Sequence, residues 1–222
     1  MKKVALIFFL VIFGLVFLLL VNNYHSYAPR PISFENRKSI VLTNTALLHV
    51  LHPSAYLNFL LSESKYNPYL YGWQDGNLYF KDAWNRDYKW NSQTKEIEKV
   101  ALATPSFLRQ EESYSNCNPE NKPDYSSMSN LPGGIEAIGC RSLVQGNVRI
   151  ESWPKVMGNL LAFGVRDIVI EYDGKKFQIN EPRLISDIVI SDNEKYVAFT
   201  VSNPQSYPDG FALTDVHVIE LP

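Results

Sequence analysis

Aromatic residues are the side chains in this sequence whose types and spacing are best suited to binding a ligand. Nine rings fall within the 25 residues from Tyr66 to Trp90. Alternating rings on a strand can form a flat surface that stacks on sugars or peptides, and Trp and Tyr concentrate at binding hot spots. Rings also pack inside β-sheet cores, which we expect to account for about half of this set. The candidate binding residues lie in or after the polar stretch 82–87, and they are Trp84, Tyr88 and Trp90.

The polar stretch 109–134 is a second candidate surface. It contains almost no aliphatic side chain and is rich in Ser, Asn, Pro, Glu and Tyr. A loop of this length in a compact domain usually binds something, covers a site, or is disordered. Tyr114 and Tyr125 are its candidate contact residues. The alternative is a variable loop with no binding role.

Catalytic and metal-binding motifs are missing from the sequence. His49 and His52 are three residues apart, which suits two metal ligands on one helix face, but no carboxylate lies within a turn to provide a third. The sequence has no G-x-S-x-G, G-x-x-x-x-G-K or D-x-D-x-D-G motif. We therefore predict no catalytic residue, no metal and no cofactor, and expect a protein that is not an enzyme.

An apolar run of eighteen residues, Val4–Val21, follows Met1-Lys2-Lys3. As a helix it would be roughly 27 Å long, about the thickness of a bilayer's hydrocarbon core. The two lysines favour a cytoplasmic location for the N-terminus. The alternative is a cleavable signal peptide, but its apolar region would be unusually long, and Tyr27 and Pro29 beside Ala28 make a poor cleavage site. We expect residues 1–21 to anchor the chain in a bacterial inner membrane, with a linker at 22–38.

The remaining chain is expected to lie in the periplasm or outside the cell. Residues 31–222 carry 18 basic and 23 acidic side chains, a net charge of −5, which argues against nucleic acid as a partner. In an oxidising compartment, Cys117 and Cys140 would most often form a disulfide. Closing that loop would stabilise the fold by roughly 3 kcal/mol. The alternative is a pair of buried free thiols.

Alternating apolar residues and short turns predict an all-β domain over residues 39–222. Asp75-Gly76 and Asp173-Gly174 each suit the two-residue turn of a hairpin, because Asp and Gly tolerate positive φ. A third hairpin turns at Ser191–Glu194. The predicted strands are 39–43, 69–74, 77–81, 95–102, 135–140, 147–152, 168–172, 175–179, 188–190, 196–201 and 215–221.

Residues Ile185–Val201 and Asp215–Leu221 resemble a blade of the TolB-like and WD40-like β-propellers. Such blades contain a Ser-x-Asp-Gly turn between apolar strands, and Asn193 stands here where the family prefers Gly. Tyr69–Val100 is similar, so that the resemblance covers about 70 residues. It implies a scaffold that binds proteins or peptides. Residues 39–222 could form a small or partial propeller, since a ring needs four or more blades of about 40–50 residues, or a two-sheet sandwich.

Together these patterns predict a membrane-tethered, non-catalytic protein-binding module. Its partner would lie in the membrane or the periplasm, as in an accessory subunit of an envelope assembly. One alternative is an immunity-type inhibitor of a toxin or enzyme that binds through the loop 109–134. The other is an envelope glycan-binding protein that uses the aromatic residues 66–90.

Overall fold

The computed structural model consists of an N-terminal helix followed by antiparallel β-sheets. It describes residues 2–47, 68–102, 107, 110, 117–122, 139–157, 160–179, 183–203 and 213–222. Within these residues, the elements are α1 (Lys2–Tyr27), β1 (Ser33–Phe34), β2 (Arg37–Lys38), β3 (Ile40–Val41), β4 (Tyr69–Gln74), β5 (Asn77–Lys81), β6 (Asp87–Asn91), β7 (Ile97–Lys99), β8 (Arg141–Gln145), β9 (Val148–Met157), β10 (Leu160–Tyr172), β11 (Lys175–Ile179), β12 (Leu184–Ile190), β13 (Tyr196–Asn203) and β14 (Leu213–Glu220), with a 3-10 turn at Pro119–Asn121.

The helix α1 contains the whole apolar run that the sequence singles out. Its large apolar side chains from Ile7 to Leu20 are between 38% and 68% exposed, so they do not pack on the β-sheets. In the part of the chain that the structure describes, no helix meets the length and apolarity that a membrane crossing requires.

The two Asp-Gly hairpins form as predicted. Asp75 and Gly76 have φ of +50° and +71° between β4 and β5, and Asp173 and Gly174 have φ of +49° and +70° between β10 and β11. Positive φ at both central residues gives the turn a twist that matches its strands. These four residues therefore set the register of two hairpins.

The third predicted hairpin, which turns at Ser191–Glu194 between β12 and β13, also forms. Glu194 has the positive φ (+59°), one position after Asn193. Asn193 accepts a hydrogen bond from Ser191 Oγ (2.8 Å) and from the Lys195 N–H (3.1 Å). Ser191 Oγ accepts the Tyr196 N–H (2.9 Å). The turn therefore needs no left-handed backbone at Asn193, the position where the blades it resembles prefer Gly.

Three four-stranded sheets make up the body of the domain. Sheet 1 has the order β4-β5-β6-β7, sheet 2 the order β8-β9-β10-β11, and sheet 3 the order β12-β13-β14-β3. Every strand pairs antiparallel with its neighbour. Strands follow chain order except that β3 joins β14, so the segment after the helix completes the sheet that contains the last strand.

Sheet 3 is covered on both faces. Val197, Phe199 and Val201 on β13 pack in a core shared with sheet 2, and Tyr196 and Ala198 pack in a second core shared with sheet 1. These are the two opposite faces that alternation along a strand produces. The described part of the domain is therefore mostly β, with helical residues at 45–47, and its three four-stranded sheets are packed in series where a sandwich would have two sheets.

The predicted linker is partly structured. Residues 33–38 form the small hairpin β1-β2, and Ile32 and Phe34 are buried in the core shared by sheets 2 and 3. Several predicted strands change in extent. The strands β3 and β7 are shorter than the predicted 39–43 and 95–102, and β9, β10 and β12 are longer than the predicted 147–152, 168–172 and 188–190. The predicted strand 135–140 is wrong at Gly139 and Cys140, which precede β8, and residues 135–138 lie outside the described residues.

Candidate binding site

A cavity of about 240 Å³ lies between the segment that follows β3 and the outer strands of sheet 1. Apolar side chains form most of its wall, with four polar residues among them. Its lining residues are Leu42, Thr43, Asn44, Leu47, Phe80, Asp82, Arg86, Tyr88 and Ile97. This composition suits a ligand that has an apolar group and a few hydrogen-bonding atoms.

The polar side of the cavity is an ion pair in the β5-β6 turn. Asp82 is buried, and its Oδ1 accepts the backbone N–H groups of Trp84 (2.9 Å) and Arg86 (3.0 Å). Its Oδ2 accepts Arg86 Nε (2.8 Å) and lies 2.7 Å from the second guanidinium nitrogen. Hydrogen bonding to Asp82 is the main reason why the pKa of Arg86 is raised. One carboxylate thus shapes the turn and fixes the guanidinium.

Arg86 can still bind a ligand. Its side chain is 41% exposed, and a guanidinium has five N–H donors, more than Asp82 uses. Its central carbon lies 5.9 Å from the centre of the Trp84 ring and 5.8 Å from that of Tyr88. Tyr88 also stacks on Phe80, at 5.7 Å between ring centres. The rings hold Arg86 in place, so its remaining donors have a defined direction.

The opposite wall of the cavity is tied to the helix. Asn44 Nδ2 donates a hydrogen bond to the Tyr24 hydroxyl near the end of α1 (3.0 Å). Asn44 Oδ1 accepts the Leu47 N–H (2.9 Å), which positions another lining residue. Thr43 donates its hydroxyl hydrogen to Asp215 Oδ1 (2.9 Å). The cavity is therefore placed at the junction of helix and domain.

The residues proposed from sequence have different positions in the structure. Tyr88 lines the cavity, and Trp84 lies half-buried beside it. Trp90 is 0% exposed and packs edge-on to Trp73, so its ring belongs to the core and offers no face to a ligand. Alternation on β6 places Trp90 on the inner face and the polar residues on the other. Tyr114, Tyr125, His49 and His52 lie outside the described residues.

Sequence reasoning missed two features around this site. One is the pair Asp82 and Arg86, whose spacing of four across a turn was a usable signal. The other is the outer face of sheet 1, which bears Tyr69, Tyr71 and Tyr79. Phe107 packs on two of these rings, 5.5 Å from Tyr71 and 4.9 Å from Tyr79. Alternation in 77–81 places Tyr79 opposite the buried Leu78 and Phe80, but in 69–73 a bulge between Leu70 and Gly72 breaks the alternation and turns Trp73 to the inner face.

Part of the polar loop 109–134 is held on sheet 2. Cys117 and Cys140 form a disulfide, which confirms the predicted pair. Glu151 is 0% exposed, and its carboxylate accepts the Asn118 N–H (2.7 Å) and Asn121 Nδ2 (2.8 Å). The described residues 117–122 are thus fixed by a covalent link and a buried carboxylate.

Two titratable groups on β14 are buried against residues 39–45, the segment that includes one wall of the cavity. Asp215 accepts hydrogen bonds from Thr43 and from the Thr45 N–H (2.8 Å), and burial raises its pKa to about 6. His217 Nδ1 lies 3.0 Å from Ser39 Oγ, and burial lowers its pKa to about 3. Both groups are therefore held in their neutral forms at mildly acidic pH.

No group of three metal-ligating side chains occurs among the residues described. No protein-family model matches the chain, and no curated protein or solved structure is significantly similar to it. The geometry of the described residues is therefore the basis for any functional conclusion.

Proposed function

We propose that this chain is a membrane-tethered, non-catalytic protein-binding module that serves as an accessory subunit of a bacterial envelope assembly. The observation that carries the proposal is the hydrogen bond between Tyr24 on the helix and Asn44 on the cavity wall. It fixes a binding cavity beside the tether. A partner held in the same membrane would meet this cavity at high local concentration.

The tether is supported by the sequence and by the exposed helix surface. Val4–Val21 is apolar throughout, two lysines precede it, and all of it lies in α1. Its exposed apolar side chains need an apolar environment, which a bilayer offers. The rest of the chain would then lie on the periplasmic side of the inner membrane.

A propeller-like scaffold is the architecture we infer for the domain. Sheets 1 and 2 are four-stranded meanders in chain order, and sheet 3 is completed by β3 from the other end of the domain. Both features are typical of propeller blades and of the way in which their rings close. Scaffolds of this kind present loops and strand edges to other proteins.

The proposal is tested by crosslinking in native membranes, purification through a C-terminal tag and identification by mass spectrometry. We expect membrane proteins in near-equal amounts with the tagged chain. The control replaces residues 1–30 by a cleavable signal, which should release the domain and lose those partners. Recovery of the tagged chain alone, or in the soluble fraction, would contradict the proposal.

Glycan binding is a second candidate function, favoured by the ring surface on the outer face of sheet 1. Tyr69 is 44% exposed there and lies edge-on to Tyr71, at 5.4 Å between ring centres. Exposed tyrosine rings can stack on sugars. The test is cosedimentation with purified peptidoglycan sacculi, which Tyr69→Ala should weaken. Equal sedimentation of the variant and the parent would exclude this surface.

A further inference from the structure

The strand β7 forms an open edge of sheet 1 next to the cavity. In the described part of the chain its only neighbour is β6. All three of its residues are exposed, and Ile97, at 45%, also lines the cavity. An edge strand with an exposed apolar residue beside a pocket can accept another strand.

The hydrogen-bond pattern shows which backbone groups point outward. The Asn91 N–H donates to the Glu96 carbonyl (3.0 Å), and the Val100 N–H donates to the Asp87 carbonyl (2.9 Å). Bonded and non-bonded pairs alternate along an antiparallel ladder. Between those two bonds, Glu98 therefore faces Lys89 as a bonded pair. The N–H and C=O groups of Ile97 and Lys99 point away from β6, toward the open edge.

The exposed charged side chains described on the cavity side of this edge are cations, one of which is paired with the buried Asp82. Residues two apart on a strand share a face, so Lys99 lies on the same face as Ile97. Arg86 contributes a second exposed cation, whereas its partner Asp82 is buried. Glu98 points to the other face, where it pairs with Lys89 (2.9 Å). A partner with acidic side chains would complement this face.

We propose that β7 binds an extended, acidic segment of a partner protein by strand addition. The outward groups of Ile97 and Lys99 would pair with its backbone. An apolar side chain of the segment would enter the cavity between Ile97 and Tyr88, and its acidic residues would face Arg86 and Lys99. This inference rests on the proposed function and names the chemistry of the partner.

The test uses fluorescein-labelled nonapeptides and the full-length protein in detergent micelles, with binding followed by fluorescence anisotropy. The first peptide has a central Leu, alternating Val and Thr, and Glu near both ends. The second has Lys in place of Glu. The third keeps Glu but has N-methylated amides at alternate positions, which prevents strand pairing.

We expect the Glu peptide to bind about tenfold more tightly than the Lys peptide, because two charge pairs change from attraction to repulsion. The N-methylated peptide should not bind. Ile97→Asp should abolish binding, whereas Val144→Asp, at an equally exposed strand position on sheet 2, should not. Equal binding of all three peptides, no binding of any, or equal loss in both variants would overturn the inference. If membrane partners are still recovered in that case, the proposed function stands and the partner binds elsewhere.

Discussion

The buried pair Asp215 and His217 predicts an unusual dependence of stability on pH. The pKa of Asp215 is raised from 3.8 to about 6 and that of His217 is lowered from 6.5 to about 3, in both cases mainly by burial. The charge of Arg183 lowers both values to a smaller extent. Between about pH 4.3 and 5.8, Asp215 is therefore mainly protonated in the folded chain, and His217 is mainly protonated in the unfolded chain. The two contributions to the free energy of unfolding nearly cancel.

Single substitutions separate the two contributions. Because folding raises the pKa of Asp215, this residue contributes stability that is fully present below pH 3.8 and is lost as the pH rises through 6. Because folding lowers the pKa of His217, this residue contributes stability that is fully present above pH 6.5 and is lost as the pH falls toward 3. Relative to the unsubstituted protein, Asp215→Asn should therefore make stability rise with pH by about 1 kcal/mol per unit, since only His217 remains. His217→Gln should make it fall by a similar amount.

The assay is urea unfolding of the full-length chain in detergent micelles at pH 4.3 and 5.8. Fluorescence of the buried Trp73 and Trp90 would follow the transition. Asn at 215 retains the oxygen that accepts from Thr43, so the substitution removes the titrating carboxyl group and keeps the hydrogen bond. Slopes that stay parallel to that of the unsubstituted protein in both variants would refute the buried, neutral assignment of these groups.

Three further predictions concern stability and use the same urea assay. Gly146→Ala should destabilise the fold by about 1 kcal/mol more than Gly174→Ala. Both residues have positive φ, but only at Gly146 would the added Cβ meet a neighbouring carboxylate, that of Glu194. Equal losses of stability in the two variants would contradict this. Cys117→Ser should lower the free energy of unfolding by roughly 3 kcal/mol, because it removes the disulfide. A reducing agent should lower the stability of the unsubstituted protein to the same level and leave that of the variant unchanged. Trp90→Ala should lower the free energy of unfolding by about 3–5 kcal/mol, because Trp90 is buried, and Trp84→Ala should lower it by about 1 kcal/mol or less. The reverse order would place Trp90 outside the core.

Local signals predicted the parts of this fold that are locally determined. The Asp-Gly turns needed only positive φ at two residues, and the two faces of β13 needed only strand alternation. The two cysteines were paired correctly because the chain offers one combination. By contrast, the pairing of β3 with β14 joins residues such as Val41 and His217, which are far apart in sequence, so no local pattern could reveal it.

The candidate site was predicted less well for the same reason. The cavity requires Asn44 and Leu47 to lie against Tyr88 and Ile97, and tertiary packing alone brings them together. Trp90 was proposed for binding on its residue type, although the alternation on β6 places it on the inner face. Tyr88 shares that face with Trp90 and lines the cavity, so strand alternation alone did not separate the two residues.

Site-specific photo-crosslinking in native membranes tests most directly whether this junction binds a protein partner. A photoreactive amino acid would replace Leu47 or Ile97 at the cavity, or Val144 on sheet 2 as the control, since all three are 40% to 51% exposed. We expect an adduct with one membrane protein from positions 47 and 97. That adduct should be absent at 144 and lost when the helix is replaced by a cleavable signal. No adduct at the cavity, or the same adducts at all three positions, would contradict a binding site at the junction of helix and domain.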